Sequence, residues 1–216
     1  FSPCIESGSM DDNDMPADIG CYSFLENVNT YYVDVGDGSD SETVDGSIEN
    51  PYQTIGMAIS QSNDGDIIYV NRGEYLENLT IDKALRITSH YIDSQDSLDI
   101  IGTIINGEEE DGSLFRFTYS SGRGQEAEVL GFTLKNGRGS QVLYGENTIV
   151  GGGAILADGN KPVVNHNIFY DNGKCDFNSW NDYSDNSVDE GGAVLYIGQG
   201  NFERLRNNSI DLKENT

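Results

Sequence analysis

Apolar residues fall along this chain in short runs separated by Gly, Asn and Asp. From residue 67 onward the runs are Ile67-Ile68-Tyr69-Val70, Leu79-Thr80-Ile81, Leu85-Arg86-Ile87-Thr88, Ile104-Ile105, Leu114-Phe115-Arg116-Phe117 and Val129 to Leu134. They continue as Ala154-Ile155-Leu156, Val163-Val164, Ile168-Phe169-Tyr170, Ala193 to Ile197 and Ile210-Asp211-Leu212. Runs this short, divided by turn residues, predict many short strands in an all-β repeat. One stretch departs from that pattern. Between Tyr52 and Ser62 the residues Ile55, Ala58, Ile59 and Ser62 recur at the helical spacing of about 3.6. Thr54 suits the N-cap, Asn63-Asp64-Gly65-Asp66 ends the helix, and Gly56 weakens it.

The runs also repeat in a fixed order. Leu134-Lys135-Asn136-Gly137 returns as Tyr170-Asp171-Asn172-Gly173 and, more loosely, as Leu212-Lys213-Glu214-Asn215, with an earlier echo in Ile104-Ile105-Asn106-Gly107. Gly152-Gly153-Ala154-Ile155-Leu156 returns as Gly191-Gly192-Ala193-Val194-Leu195. Strand, Asn turn, variable stretch, Gly-Gly-Ala strand and a further strand is an order that suits stacked coils, because each coil satisfies the open edge of the next. On this reading Asn136, Asn172 and Asn215 lie one above another and their amides bond along the column. The competing reading makes them separate Asn-Gly hairpin turns. The paired Gly-Gly-Ala repeat favours stacking.

Charge narrows the partners. The 216 residues carry 37 Asp plus Glu against 12 Lys plus Arg, a net charge of −25. Such a chain repels nucleic acid and anionic lipid. The acidity either keeps an extracellular protein soluble or suited to salt, or places some carboxylates on Ca²⁺. No apolar stretch reaches the length of about 18 residues that membrane insertion requires. Cys4, Cys21 and Cys175 match no zinc or redox spacing, and a Cys4–Cys21 pair with Cys175 free is one arrangement the count allows.

Residues 31–88 carry a resemblance. The matching text is Tyr32-Val33-Asp34, Asn50-Pro51-Tyr52-Gln53-Thr54-Ile55, Ala58-Ile59, Gly65-Asp66-Ile67-Ile68-Tyr69-Val70 and Gly73-Glu74-Tyr75-Leu76-Glu77-Asn78. It resembles the opening of secreted right-handed parallel β-helix proteins of the pectate-lyase-like superfamily. The resemblance implies an all-β, right-handed parallel β-helix (a solenoid) with a short N-terminal capping helix. It also implies a secreted or cell-surface location. Residues 2–22 resemble the closing segment of such a domain. The expected organisation is a tail over 1–26, an opening strand, acidic loop and capping helix over 27–66, and coils over 67–216 whose far end shows no evident cap. The superfamily holds lyases, hydrolases, adhesins and fibres, so it specifies fold more than function.

Two stretches break the repeat length, Arg138 to Val150 and Lys174 to Glu190. In stacked coils they neighbour one another on one wall, which is where solenoids often bind. Tyr144, Phe177, Trp180 and Tyr183 offer ring faces to a sugar, and Asn178, Asn181, Asp182 and Asp185 offer hydrogen bonds to its hydroxyls. The bland alternative is that Trp180 anchors its own loop. Asp176, Asp182, Asp185, Asp189 and Glu190 are candidate Ca²⁺ ligands, as are Asp34, Asp37, Asp40 and Glu42, although neither set has the spacing of the twelve-residue calcium loop. Solvated acidic loops are the competing reading for both.

The resemblance implies a Lys or Arg base in lyases, often with Ca²⁺, and Asp pairs in hydrolases. Lys135, Arg138 and Lys174 are the basic candidates near the wall, and none sits in a catalytic signature. His90 and His166 look isolated in sequence. Asn78-Leu79-Thr80 and Asn207-Asn208-Ser209 match the N-glycosylation pattern. The sequence therefore favours a non-catalytic extracellular module with a structural, adhesive or glycan-binding role. A polysaccharide lyase or glycoside hydrolase fragment, and a fibre subunit that self-associates end to end, stand as alternatives.

Overall fold

The structure is a computed structural model. It describes residues 28–108, 112–118, 127–144, 147–158, 162–172, 194–197, 205–206 and 209–211. These build a β-rich fold of three parallel sheets with few helices. The first sheet holds β1 (Thr30–Val33), β2 (Ile67–Val70), β5 (Arg86–Ser89), β8 (Glu128–Leu130), β13 (Val163–Asn165) and β16 (Leu205–Arg206), in that spatial order. The second runs β3 (Gly73–Tyr75), β6 (Thr103–Asn106), β9 (Thr133–Lys135), β14 (Ile168–Tyr170) and β17 (Ser209–Asp211). The third runs β4 (Leu79–Ile81), β7 (Phe115–Phe117), β12 (Ile155–Asp158) and β15 (Val194–Ile197). From β2 on, the chain visits first, second and third sheet in unchanging cyclic order. Each strand in the interior of a sheet pairs with the strand one circuit earlier and the strand one circuit later.

Side-chain alternation sets the register. In the first sheet Ile68, Ile87, Val129 and Val164 are partners across successive strands, and all are buried. Tyr75, Ile105, Leu134 and Phe169 do the same in the second. Leu79, Phe115 and Ile155 do so in the third, with Ile81, Phe117 and Ala157 two residues on. These columns meet in one core. Each large side chain buried this way contributes about 1.5–3 kcal/mol. The Ile155-Leu156 and Val194-Leu195 pairs stand in register, as the Gly-Gly-Ala repeat requires.

The expected helix forms as α1 (Ile55–Gln61). The Thr54 hydroxyl accepts from the Met57 N–H at 3.1 Å, and Ile55, Ala58 and Ile59 face inward. Glu77 adds a second cap from the first circuit: its two carboxylate oxygens accept from the N–H groups of Ile55 (2.9 Å) and Gly56 (2.8 Å). Beside α1, residues 46–52 seal the outer edge of β1. Tyr32 N–H donates to Gly46 O (2.8 Å), Tyr52 N–H to Tyr32 O (3.0 Å) and Asp34 N–H to Tyr52 O (2.9 Å). Gly46 is required there, because its φ is +73° and a Cβ would lie 2.4 Å from the Tyr52 ring.

Two further helices, α2 (Tyr91–Ser94) and α3 (Ser97–Gly102), lie between β5 and β6 and were not legible in the sequence. They are too short to show a period. In α3 the buried residues Asp99 and Ile100 are consecutive, while Leu98 and Ile101 are exposed. Asp96 caps α3 through the Leu98 N–H (2.9 Å), and Arg72 ties the excursion down by donating to Asp99 at 2.6 Å.

Asn167 also escaped the pattern. It is buried, accepts from Phe132 N–H (2.9 Å) and donates to Val129 O (3.1 Å) and Asn165 O (2.9 Å). It thus satisfies a corner where the strand ladder stops. Replacing Asn167 with Leu strands these backbone groups, and urea denaturation should show a loss of about 2–4 kcal/mol.

Candidate functional site

The second sheet hands over to the third at a corner built from the C-terminal ends of β3, β6, β9 and β14. Both length-breaking stretches depart here. Residues 136–154 leave β9 and return at β12; residues 171–193 leave β14 and return at β15. Because β9 pairs with β14 and β12 with β15, the two excursions start and finish as neighbours. The first forms an antiparallel ribbon of β10 (Ser140–Tyr144) and β11 (Asn147–Gly151), with Tyr144 paired to Asn147 at its tip. Arg138 stands at the base of this ribbon, its N–H and that of Gly139 both donating to Gly112 O at 3.0 Å.

Polar side chains crowd the outer face of this corner. Lys135 Nζ lies 2.8 Å from Glu74 Oε1, and Asn106 Nδ2 donates to the same oxygen at 2.6 Å. Asn106 Oδ1 accepts from Asn136 Nδ2 (2.8 Å) and from the Glu108 N–H (3.0 Å). The hydrogen bonds from Lys135 and then Asn106 hold the Glu74 carboxyl below the usual carboxylate range. Lys135 is therefore engaged by a carboxylate rather than held free beside an open cleft.

The asparagines bond along the corner, but not in the register that the repeated text implies. Leu134 pairs with Phe169 and Lys135 with Tyr170, which puts Asn136 level with Asp171 and Asn172 level with Gly137. The column is staggered by one residue. Burial of Leu134 and Phe169 decides this, since a one-residue slip would turn both out of the core. Position, rather than residue type, then carries the turn: Asn136 (φ 60°) and Asp171 (φ 49°) share the left-handed conformation. Asn172 reaches back across the stagger, donating to Leu134 O (2.7 Å) and accepting from Gly137 N–H (2.9 Å).

A second constellation was missed by sequence reasoning. Val33, Val70 and Ser89 are register partners, so Asp34, Asn71 and His90 follow three adjacent strands at one level. Asn71 Nδ2 donates to Asp34 Oδ2 at 2.7 Å, and Asn71 Oδ1 lies 2.6 Å from His90 Nε2. With a carboxamide oxygen as partner, Nε2 is the donor. Tyr69 stacks on His90 (5.5 Å between centroids) and Tyr32 on Tyr69 (5.7 Å). His90 is thus not isolated, and only the strand register could have revealed it. Asp34 Oδ1 accepts from Gly36 N–H (2.9 Å) and Asp37 N–H (3.0 Å), while Asp40 accepts from Gln53, Thr54 N–H and the Thr54 hydroxyl. These two carboxylates organise their loop. Among the described residues, no three His, Cys, Asp or Glu side chains converge as metal ligands.

Phe177, Trp180, Asn181, Asp182, Tyr183 and Asp185, the acidic candidates Asp176, Asp189 and Glu190, Lys174 and the three cysteines lie outside the described residues. No helix among the described residues is long and apolar enough to cross a membrane. Comparison of the chain with protein-family models, curated proteins and solved structures returns no match.

The Asp34 carboxyl is held below its ordinary range, chiefly by the Asn71 hydrogen bond against the opposing effect of burial. A depressed carboxyl stabilises the fold above its unfolded value of about 3.9 and loses that contribution as pH falls through the folded value. Asp34→Asn should therefore cost about 1 kcal/mol at neutral pH. In urea titrations its deficit against the wild type should shrink below about pH 4.

Proposed function

We propose that the chain winds as a right-handed parallel β-helix of the pectate-lyase-like kind and serves as an extracellular or cell-surface module. Its role is structural or adhesive, with glycan contacts on the wall formed by residues 138–150 and 174–190. The observation that carries this reading is the cyclic visiting of three parallel sheets, with both excursions leaving and rejoining at neighbouring strands. Parallel crossovers are right-handed in nearly all sheets, which supports the hand. Aromatic and amide side chains on those stretches suit sugar rings and hydroxyls, and the carboxylates of 176–190 suit Ca²⁺ as a bridge to an acidic glycan.

Binding without cleavage is the favoured outcome. The Lys135 ammonium faces Glu74, so the corner offers a fixed ion pair where a proton-abstracting lyase would need a free base. End-to-end association through the β1 end is disfavoured, because that edge already bonds to residues 46–52.

A glycan array with and without Ca²⁺, followed by turnover assays on the bound polysaccharides, tests the proposal. Binding is expected without product formation, and Trp180→Ala should weaken it about tenfold. Turnover abolished by changing Lys135, Arg138 or Lys174 would replace this reading with a polysaccharide lyase.

A further inference from the structure

We propose that Lys135 and Asn106 join in an intramolecular amide cross-link, with Glu74 relaying the protons. The inference goes beyond the glycan reading and does not rest on it. Asn106 and Lys135 are register partners on β6 and β9, so their side chains leave the same face of the second sheet. Glu74 lies on β3, on the other side of β6. To reach Glu74, the Lys135 side chain must cross β6, the strand that carries Asn106. Lys135 Nζ (2.8 Å) and Asn106 Nδ2 (2.6 Å) then meet at a single oxygen, Glu74 Oε1.

The remaining contacts prepare the carboxamide for attack. Its orientation is fixed by chemistry: the NH₂ faces a carboxylate, and the oxygen faces two donors. Those donors, Glu108 N–H at 3.0 Å and Asn136 Nδ2 at 2.8 Å, sit where negative charge would build on Asn106 Oδ1. Nucleophile, proton carrier, oxyanion donors and leaving group are thus gathered in one cluster.

The reaction balances without a co-reactant. Lys135 passes one ammonium proton to Glu74, and the amine attacks Asn106 Cγ. The Nζ–Cγ bond forms and the Cγ–Nδ2 bond breaks. Glu74 delivers the first proton, and then a second from Nζ, to the departing nitrogen. The products are a secondary amide, an ammonium ion and the original carboxylate; nothing is oxidised or reduced. Asn106 is 9% exposed, whereas the Glu74 side chain is 45% exposed. The hydrogen bonds from Lys135 and Asn106 that keep the Glu74 carboxyl ionised, together with water at the carboxylate, favour the charged pair and make the step slow. Each molecule, however, needs to react only once.

Intact-mass measurement of the purified chain after incubation at neutral to mildly alkaline pH decides the matter. The wild type is expected to be lighter by one ammonia, and protease digestion should release a branched peptide joining the segments around residues 106 and 135. Lys135→Arg, which keeps the charge pair, and Asn106→Ala should show their full masses, and Glu74→Gln should react slowly or not at all. A succinimide at Asn106-Gly107 or Asn136-Gly137 also loses ammonia, but it would survive Lys135→Arg and hydrolyse in mild base. A full-mass wild type, or a loss that persists in Lys135→Arg, would overturn the proposal. Should Lys135→Arg fail to fold, the presence or absence of the branched peptide in the wild type still gives the answer.

Discussion

Register between successive circuits is the constraint from which the rest of this structure follows. Parallel strands three or four residues long have little stability alone. They persist because each one pairs with a neighbouring circuit, on both sides in the interior of a sheet, and sends its middle or flanking residues into a shared core. Ile68, Ile87, Val129 and Val164 form one such inward column, and Tyr75, Ile105, Leu134 and Phe169 another. Moving a strand by one residue would turn its inward column out of the core. The same register assembles both polar constellations, since Asp34, Asn71 and His90 share a level for the same reason that Val33, Val70 and Ser89 do.

Much of the parallel architecture was legible in the sequence, because short apolar runs and turn residues report directly on strand length. The helix over 55–61 was legible too, through its spacing and the Thr54 cap. The Gly-Gly-Ala text located a true register, Ile155 against Val194. The Asn-Gly text does not, because turn residues of the same type need not sit at the same level. Leu134 and Phe169 settle the alignment, and they place an aspartate opposite Asn136. The helices over 91–94 and 97–102 were invisible for a different reason: Gln95 closes the end of the first, and Asp96 and Arg72 hold the second, with no periodic apolar face in either.

The corner where the segment lengths differ was legible in outline. Unequal segment lengths pointed to the corner between the second and third sheets, and Lys135 and Arg138 do lie there. What a linear reading could not supply was the partner of each side chain. Glu74 and Lys135 are separated by two circuits, and His90 meets Asn71 through a turn that carries no motif. Side chains that converge by stacking leave no mark on local spacing, so chemistry in such folds is found by counting circuits rather than by matching patterns.

The shortest circuit, from Ile67 to its register partner Arg86, advances only 19 residues (86 minus 67). That length is enough for three strands and three bends, so it defines the bare frame of one lap. Later laps are longer because material is added at the bends, as a pair of helices in one case and a ribbon in another. Inheritance can therefore lengthen or replace those outgrowths without disturbing the frame. A lineage built this way would diversify its surface quickly while its interior text stayed recognisable.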